Sequence, residues 1–553
     1  MMSSAYLRRI ALSTIRRGAR TQPLTALCGY RSIRNYHSYP DPNEKPVIHT
    51  SVADHTKQYD KAMPEFQLDP KFKMEDLFPG TPVSSGIDAA APPPTLTTKL
   101  ENGLIVASQD MPGMMTSLAF IVRAGSAYET QEGSTGNTLG ATQFLEFHAF
   151  RSTENRTNQQ LIEEVEQLGG MVQCIASREN IVYVMDVMRH QVKEAVDILA
   201  DTTLQPIFPE EELLESRMVA EFQQQELPSE VFSRDLVQRA AYQKYPLGNH
   251  HFCPVPLVQN VTEPIIRDFQ SKYFFGENCI VAIAGLDHET AVRLVREKFS
   301  ILRAGERQAD GLDLVGKSEF TGGMLTQERE LKEPFAKLAM GFEVGGWSDE
   351  RLVAVCVLQQ LLGGGSSFSA GGPGKGMFTR LYTQVLNRYY WTESIEAFVS
   401  IHEHSGMLGI DGACPPDKLV NLIQVIMQQF SALALVPVPQ HELTRAKNML
   451  KSSMMMQLES RLVQCEDIAR QFATYGKRDS PSVMCDKIDA VTAEDIMEVA
   501  QSMMKCAPAI GAVGADLSHL PPYEAIAEYC SAMYKSTAEM ISTKTSASSS
   551  SFV

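Results

Sequence analysis

Residues 363–376 read Gly-Gly-Gly-Ser-Ser-Phe-Ser-Ala-Gly-Gly-Pro-Gly-Lys-Gly, a stretch whose backbone could bind a ligand directly. Glycine admits positive φ and lets another chain come close, so such a loop could cradle a phosphate or lie along a peptide. The phosphate reading fails. A P-loop needs Gly-x-x-x-x-Gly-Lys-Ser/Thr behind a strand. Here Ser369 stands at the first glycine, Gly376 replaces the hydroxyl residue, and no strand leads in. The readings left are a loop that touches an extended substrate and a surface linker. The other chemistry-bearing residues assemble less. His250 and His251 are adjacent and diverge on a helix or a strand. His402 and His404 would share a strand face around Glu403 and could clamp a metal, but no third ligand stands beside them. No Gly-x-Ser-x-Gly elbow occurs, and the ten cysteines form no C-x-x-C pair, so reduced, mostly buried thiols are expected.

Two apolar patterns position the glycine-rich stretch. Upstream, Ser348 is placed to cap a helix with Asp349 and Glu350 in its first turn, carrying Leu352, Val355, Cys356, Leu358 and Leu362 on one face. Downstream, Phe378, Leu381, Tyr382, Val385, Leu386 and Tyr389 recur at helical spacing. The pattern predicts a loop hung between two helices. Beyond these, the chain repeats itself. Val261-Thr262, a helical segment and Ile280–Gly285 return as Val491-Thr492, a helical segment and Ala509–Gly514, at offsets of 491 − 261 = 230 and 514 − 285 = 229. Leu118–Gly125 is echoed by Leu338–Gly345. Alternating strands and long helices in both copies predict an α+β chain of two homologous domains, 95–308 and 325–520, joined by a linker at 309–324.

The ends differ from the middle. Seven arginines and no acid occupy residues 1–36, the composition of a mitochondrial transit peptide, and Arg34-Asn-Tyr36-His37 suggests a mature start near His37. Removing those arginines takes the net charge from −16 to −16 − 7 = −23, which argues against nucleic acid and suits cationic ligands. Residues 37–94 read as an irregular extension, 521–553 as a tail, and the Ser/Thr-rich part from Ser536 as disordered. The best apolar run, Phe430 to Val438, is too short for a membrane helix.

The stretch from Gly363 to Tyr382 resembles the glycine-rich loop of the alpha-subunit family of mitochondrial processing peptidases. The likeness extends at lower density from about Thr95 to Leu520. These belong to the pitrilysin-type metalloproteases, so the resemblance implies two pitrilysin-type α/β domains forming half of a clam-shell chamber. It also implies that Gly363, Gly364, Gly365, Ser366, Ser367, Phe368, Ser369, Ala370, Gly371, Gly372, Pro373, Gly374, Lys375 and Gly376 contact the substrate, a presequence. Catalytic relatives carry an inverted zinc motif, H-x-x-E-H, that sets two histidines one turn apart with a glutamate base. Gln143 and Phe147 stand at those histidine positions, Glu146 survives, and Glu221 lies where a distal glutamate ligand would come. His148 is rotated roughly 140° from position 143 and cannot substitute. The chain is therefore expected to hold no metal and to catalyse nothing alone. Zinc and catalysis are expected in a beta-type partner, in the matrix or at the matrix face of the inner membrane. The alternative is a structural core subunit of respiratory complex III, related to the same family, or one chain serving both roles.

Overall fold

A computed structural model describes residues 93–130, 138–305, 316–329, 334–367 and 376–549. The leader, the mature start near His37 and nearly all of the irregular extension lie outside these residues.

The first sheet comprises β1 (Leu96–Lys99), β2 (Ile105–Gln109), β3 (Met115–Val122), β4 (Met171–Ala176), β5 (Ile181–Met188) and β6 (Cys279–Ala284), in the order β1-β2-β6-β3-β5-β4. Its helices are α1 (Ala141–His148), α2 (Asn158–Gln167), α3 (Val192–Leu204), α4 (Glu210–Glu226), α5 (Ser229–Tyr242), α6 (Glu263–Tyr273) and α7 (His288–Lys298). The second sheet comprises β7 (Gly323–Glu328), β8 (Ala336–Gly345), β9 (Gly364–Ser366), β10 (Ser394–Ile401), β11 (Ser405–Cys414) and β12 (Ala509–Gly514), ordered β7-β12-β8-β11-β10-β9. With it come α8 (Leu352–Leu362), α9 (Leu419–Leu435), α10 (Gln440–Leu458), α11 (Arg461–Tyr475), α12 (Pro481–Ala490), α13 (Ala493–Met504) and α14 (Tyr523–Ser549).

The repeat is visible in the ladders. β2 pairs parallel with β6, and β6 antiparallel with β3; in the second sheet β7 pairs parallel with β12, and β12 antiparallel with β8. β6 and β12 are buried along their whole length, as strands covered on both faces must be. The second cover is exchanged between the repeats. Cys465, Ile468 and Ala469 of α11 pack on Ala119, Ile121, Ile280 and Ala282 of the first sheet. Reciprocally, α5 lies on β12, where any side chain at Gly511 would overlap the Ser233 carbonyl and the Val237 amide. Each repeat keeps a large core of its own, and the exchanged helices add a seam that ties the two together.

Three expectations fail here. Helix α8 begins at Leu352, not behind Ser348: Asp349 accepts the Arg351 N–H at 2.8 Å and pairs with its guanidinium, a turn that takes the place of a serine cap. The segment from Ser536 is helical to Ser549, because Ile526 and Cys530 of α14 enter the second core and Thr537 meets Ser431 at 3.0 Å. The run that begins at Phe430 belongs to a longer apolar helix, which ends at Leu435. Pro416–Leu435 reaches the length and hydropathy of a membrane span, yet more than half of its most apolar stretch is buried inside the fold, against β8, β11, α13 and α14.

Candidate functional site

Helix α1 carries the zinc-motif positions. Its start is held by Glu129, whose carboxylate accepts from the Gly140 N–H (2.9 Å), the Thr142 N–H (2.8 Å) and the Thr142 hydroxyl (2.6 Å). These donors favour the charged form, but complete burial prevails and pushes the Glu129 carboxyl up to about 7. Gly140 sits at φ 94, a turn that only glycine enters without strain.

Gln143 is engaged at both ends of its amide. It donates to Gln223 of α4 at 2.9 Å and accepts the Cys253 N–H at 2.7 Å. It works as a brace between α1, α4 and the 253 loop, and a neutral amide oxygen is a poor ligand for zinc. Phe147 turns its ring edge against Phe144, with centroids 6.0 Å apart. Glu146 accepts the Ala176 N–H at 3.1 Å, and Glu221 accepts from Gln259 at 2.7 Å. A neutral amide, a phenyl ring and two carboxylates with no imidazole beside them do not fit zinc. Among the described residues no group of three or more His, Cys, Asp or Glu side chains is placed to hold a metal.

His148 points away from this cluster, as the helical rotation requires. Its Nε2 lies 3.1 Å from the Ser216 hydroxyl and its Nδ1 3.7 Å from Glu212. Burial, helped by the Arg151 charge, lowers its pKa from the ordinary 6.5 to about 4. Because the folded-state value is depressed, folding favours the neutral ring. Its contribution is complete above pH 6.5 and is lost as the pH falls towards 4, in total about 3 kcal/mol. Urea titrations at stepped pH should show this acid loss in the native chain and a shallower one in His148→Gln.

His402 and His404 do not share a strand face, contrary to expectation. They fall in the turn between β10 and β11. His402 is buried, 2.9 Å from Gln238 of α5 and 3.1 Å from Ser400, whereas His404 faces solvent.

At the glycine-rich stretch the described residues are the two ends, Gly363–Ser367 and Gly376 onwards; Phe368, Ser369, Ala370, Gly371, Gly372, Pro373, Gly374 and Lys375 lie outside them. The outgoing end leaves α8 through Gly363 at φ 56 and pairs as β9 with β10, Gly364 opposite Glu396. A side chain at Gly364 would overlap the Ile395 carbonyl, so this glycine serves close strand approach as well as turning. Ser367 extends the contact, its N–H donating to the Glu393 carbonyl at 2.7 Å. The return end is not the helix its spacing predicts. A single wide π-helical turn spans Tyr382–Leu386, and Phe378, expected on a buried face, is 71% exposed. The Thr383 hydroxyl bonds back to the Thr379 carbonyl at 3.0 Å, a competitor to regular helix, and the chain must reach β10 at Ser394.

One residue that sequence reasoning missed ties the ends together. The buried Thr379 hydroxyl accepts the Gly364 N–H at 3.2 Å and donates to the Gly376 carbonyl at 2.7 Å. Arg380 then fixes the return strand to α10 through Glu442 at 2.9 Å. The loop thus has a closed, rigid base. Its only sequence signal was a hydroxyl residue three positions after the last glycine. Thr379→Val keeps the shape and removes the staple, leaving the Gly364 N–H unsatisfied, and should cost about 1–3 kcal/mol. Thermal unfolding checks the cost, and faster amide exchange at Gly364 locates it.

The description "Insulinase (Peptidase family M16)" matches residues 104–255, and "Peptidase M16 inactive domain" matches residues 260–450. The mitochondrial-processing peptidase subunit alpha of Homo sapiens is 32% identical over 474 residues, covering 83% of this chain and 89% of that protein. The chain belongs to the mitochondrial-processing peptidase alpha-subunit family. The Solanum tuberosum member of the family is 34% identical over 444 residues, 79% of this chain and 85% of that one. In fold, the chain resembles a component of complex III2 from Candida albicans, with a TM-score of 0.65 at 17% identity over 79% of this chain and 99% of that one. That likeness concerns architecture: two M16 domains, each built on one sheet. The family is mitochondrial, and the alpha designation implies a further subunit.

Proposed function

We propose that this chain is the non-catalytic, presequence-recognising subunit of a heterodimeric mitochondrial processing peptidase, in the matrix or at the matrix face of the inner membrane. Its partner is a beta-type subunit with an intact H-x-x-E-H motif and the zinc. Residues 95–308 and 325–520 are taken as the two peptidase-like domains, and 363–376 as the presequence contact. The observation that carries the reading is the pairing of a zinc position occupied by a bonded amide with a glycine-rich loop stapled at its base by Thr379. The first removes hydrolysis from this chain. The second supports a backbone that adapts to many peptides while its ends stay fixed.

Capture of a tagged chain from mitochondria tests it. A beta-type M16 subunit in equal amount, together with presequence cleavage by the captured material, is expected. Capture with cytochrome-bearing complex III subunits and no cleavage would favour the structural reading instead.

A further inference from the structure

Helices α4 and α10 occupy the same place in the two repeats. Each follows a proline, Pro209 and Pro439, at 439 − 209 = 230, the offset that relates Val261-Thr262 to Val491-Thr492. Each buries a leucine at the same step, Leu213 and Leu443. Their solvent-facing lanes differ. On α10 the first three positions of the lane are Thr444, Asn448 and Ser452, all exposed and all polar; the fourth, Met456 in the last turn, is exposed by 62%. The matching positions on α4 are Leu214, Met218 and Phe222, exposed by 53%, 64% and 51%.

Their i, i+4, i+8 spacing aligns these three side chains along about 12 Å of helix. Single exposed apolar residues need no account, but three large ones in line, where the three matching positions of the sister helix are polar, call for one. The borders of the lane are acidic. Glu211 and Glu215 flank one end and Glu221 the other, and the one basic residue of α4, Arg217, is buried and donates to the Val261 carbonyl. Acids in a first turn answer the helix dipole, which accounts for Glu210, Glu211 and Glu212. Glu215 and Glu221 lie beyond that turn and gain nothing from it. Their present partners, Arg151 at 3.2 Å and Gln259 at 2.7 Å, sit at the surface and are exchangeable.

An apolar lane edged with carboxylates complements a helix whose apolar face is edged with arginines. We propose that the Leu214–Met218–Phe222 lane of α4 seats the apolar face of a short cationic amphipathic helix, whose arginines meet Glu211, Glu215 and Glu221. The inference rests on the presequence-recognising reading and adds where the apolar side of such a peptide is held. Residues 1–36 of this chain, with seven arginines and no acid, are a peptide of that chemistry and serve as the probe.

The experiment titrates the labelled 1–36 peptide into the assembled heterodimer under EDTA, so that no peptide is cut. The variant carries Leu214→Thr, Met218→Asn and Phe222→Ser together, the residues that α10 bears on its exposed lane. Affinity should fall about tenfold or more with unfolding midpoint and subunit assembly unchanged, since the peptide's apolar face loses the three side chains it would be buried against. Glu215→Gln with Glu221→Gln should weaken binding at low salt and flatten its salt dependence. Unchanged affinity in the triple variant, beside a loop-shortened variant that does lose affinity, overturns the lane and leaves the recognition role standing. Loss of assembly in the triple variant also overturns it, assigning the lane to the subunit interface. No binding of the peptide by the wild-type heterodimer would instead defeat the underlying reading.

Discussion

Replacing Phe368–Lys375 by a two-residue link should leave fold and heterodimer intact and reduce presequence affinity by about tenfold or more, a loss of at least ~1.4 kcal/mol. The excision spares every contact of the loop base: β9 stays paired with β10, and Thr379 still joins Gly364 to Gly376. Every described residue of both cores is retained, so the unfolding midpoint should move little. A peptide that threads past the loop loses backbone partners in its ground state and its transition state alike. Affinity and the processing rate at low substrate should therefore fall together. Isothermal titration of a presequence peptide, beside kcat/KM for a cleavable one, makes the comparison. Unchanged affinity would return the loop to a surface linker.

The second large effect is on stability. Arg234 on α5 reaches across to the other repeat, donating to Asp411 of β11 and to Glu396 of β10 at 3.1 Å, with its guanidinium 5.4 Å above the Phe398 ring. Neither Arg234 nor Asp411 sees much water, their side chains being 16% and 10% exposed. Arg234→Ala would strand the Asp411 carboxylate inside the seam, a loss of about 3–5 kcal/mol. Adding Asp411→Asn should recover part of it, because a neutral amide needs no counter-ion, and the two changes should be far from additive. Chemical unfolding of the single and double variants measures both. A shift under about 1 kcal/mol for Arg234→Ala would mean that the seam is held by the apolar exchange of α5 and α11 alone.

Contiguous features were legible in the sequence. The glycine run and the Gln143–Phe147 pentapeptide are each read within one window, and the repeat offset of 230 reappears in the positions of α4 and α10. Features made by distant partners were not. Nothing near Thr379 announces that Gly364 will return to it, and nothing in α5 or α11 says that each will cover the other repeat's sheet. The periodicity from Phe378 to Tyr389 misled because helical spacing cannot register two threonine hydroxyls competing for the backbone, nor the close return to β10. Likewise Ser536 onward looked like a polar tail, since the serines conceal that the preceding Ile526 and Cys530 anchor α14 in the core.

That this chain supplies recognition and its partner supplies chemistry is tested most directly by separating and recombining the two subunits. Zinc content and presequence cleavage are measured for this chain alone, for the partner alone, and for the recombined pair. The account predicts negligible zinc and no cleavage for this chain, with full processing only in the pair. Stoichiometric zinc in the isolated chain, with cleavage abolished by Glu146→Gln, would contradict it.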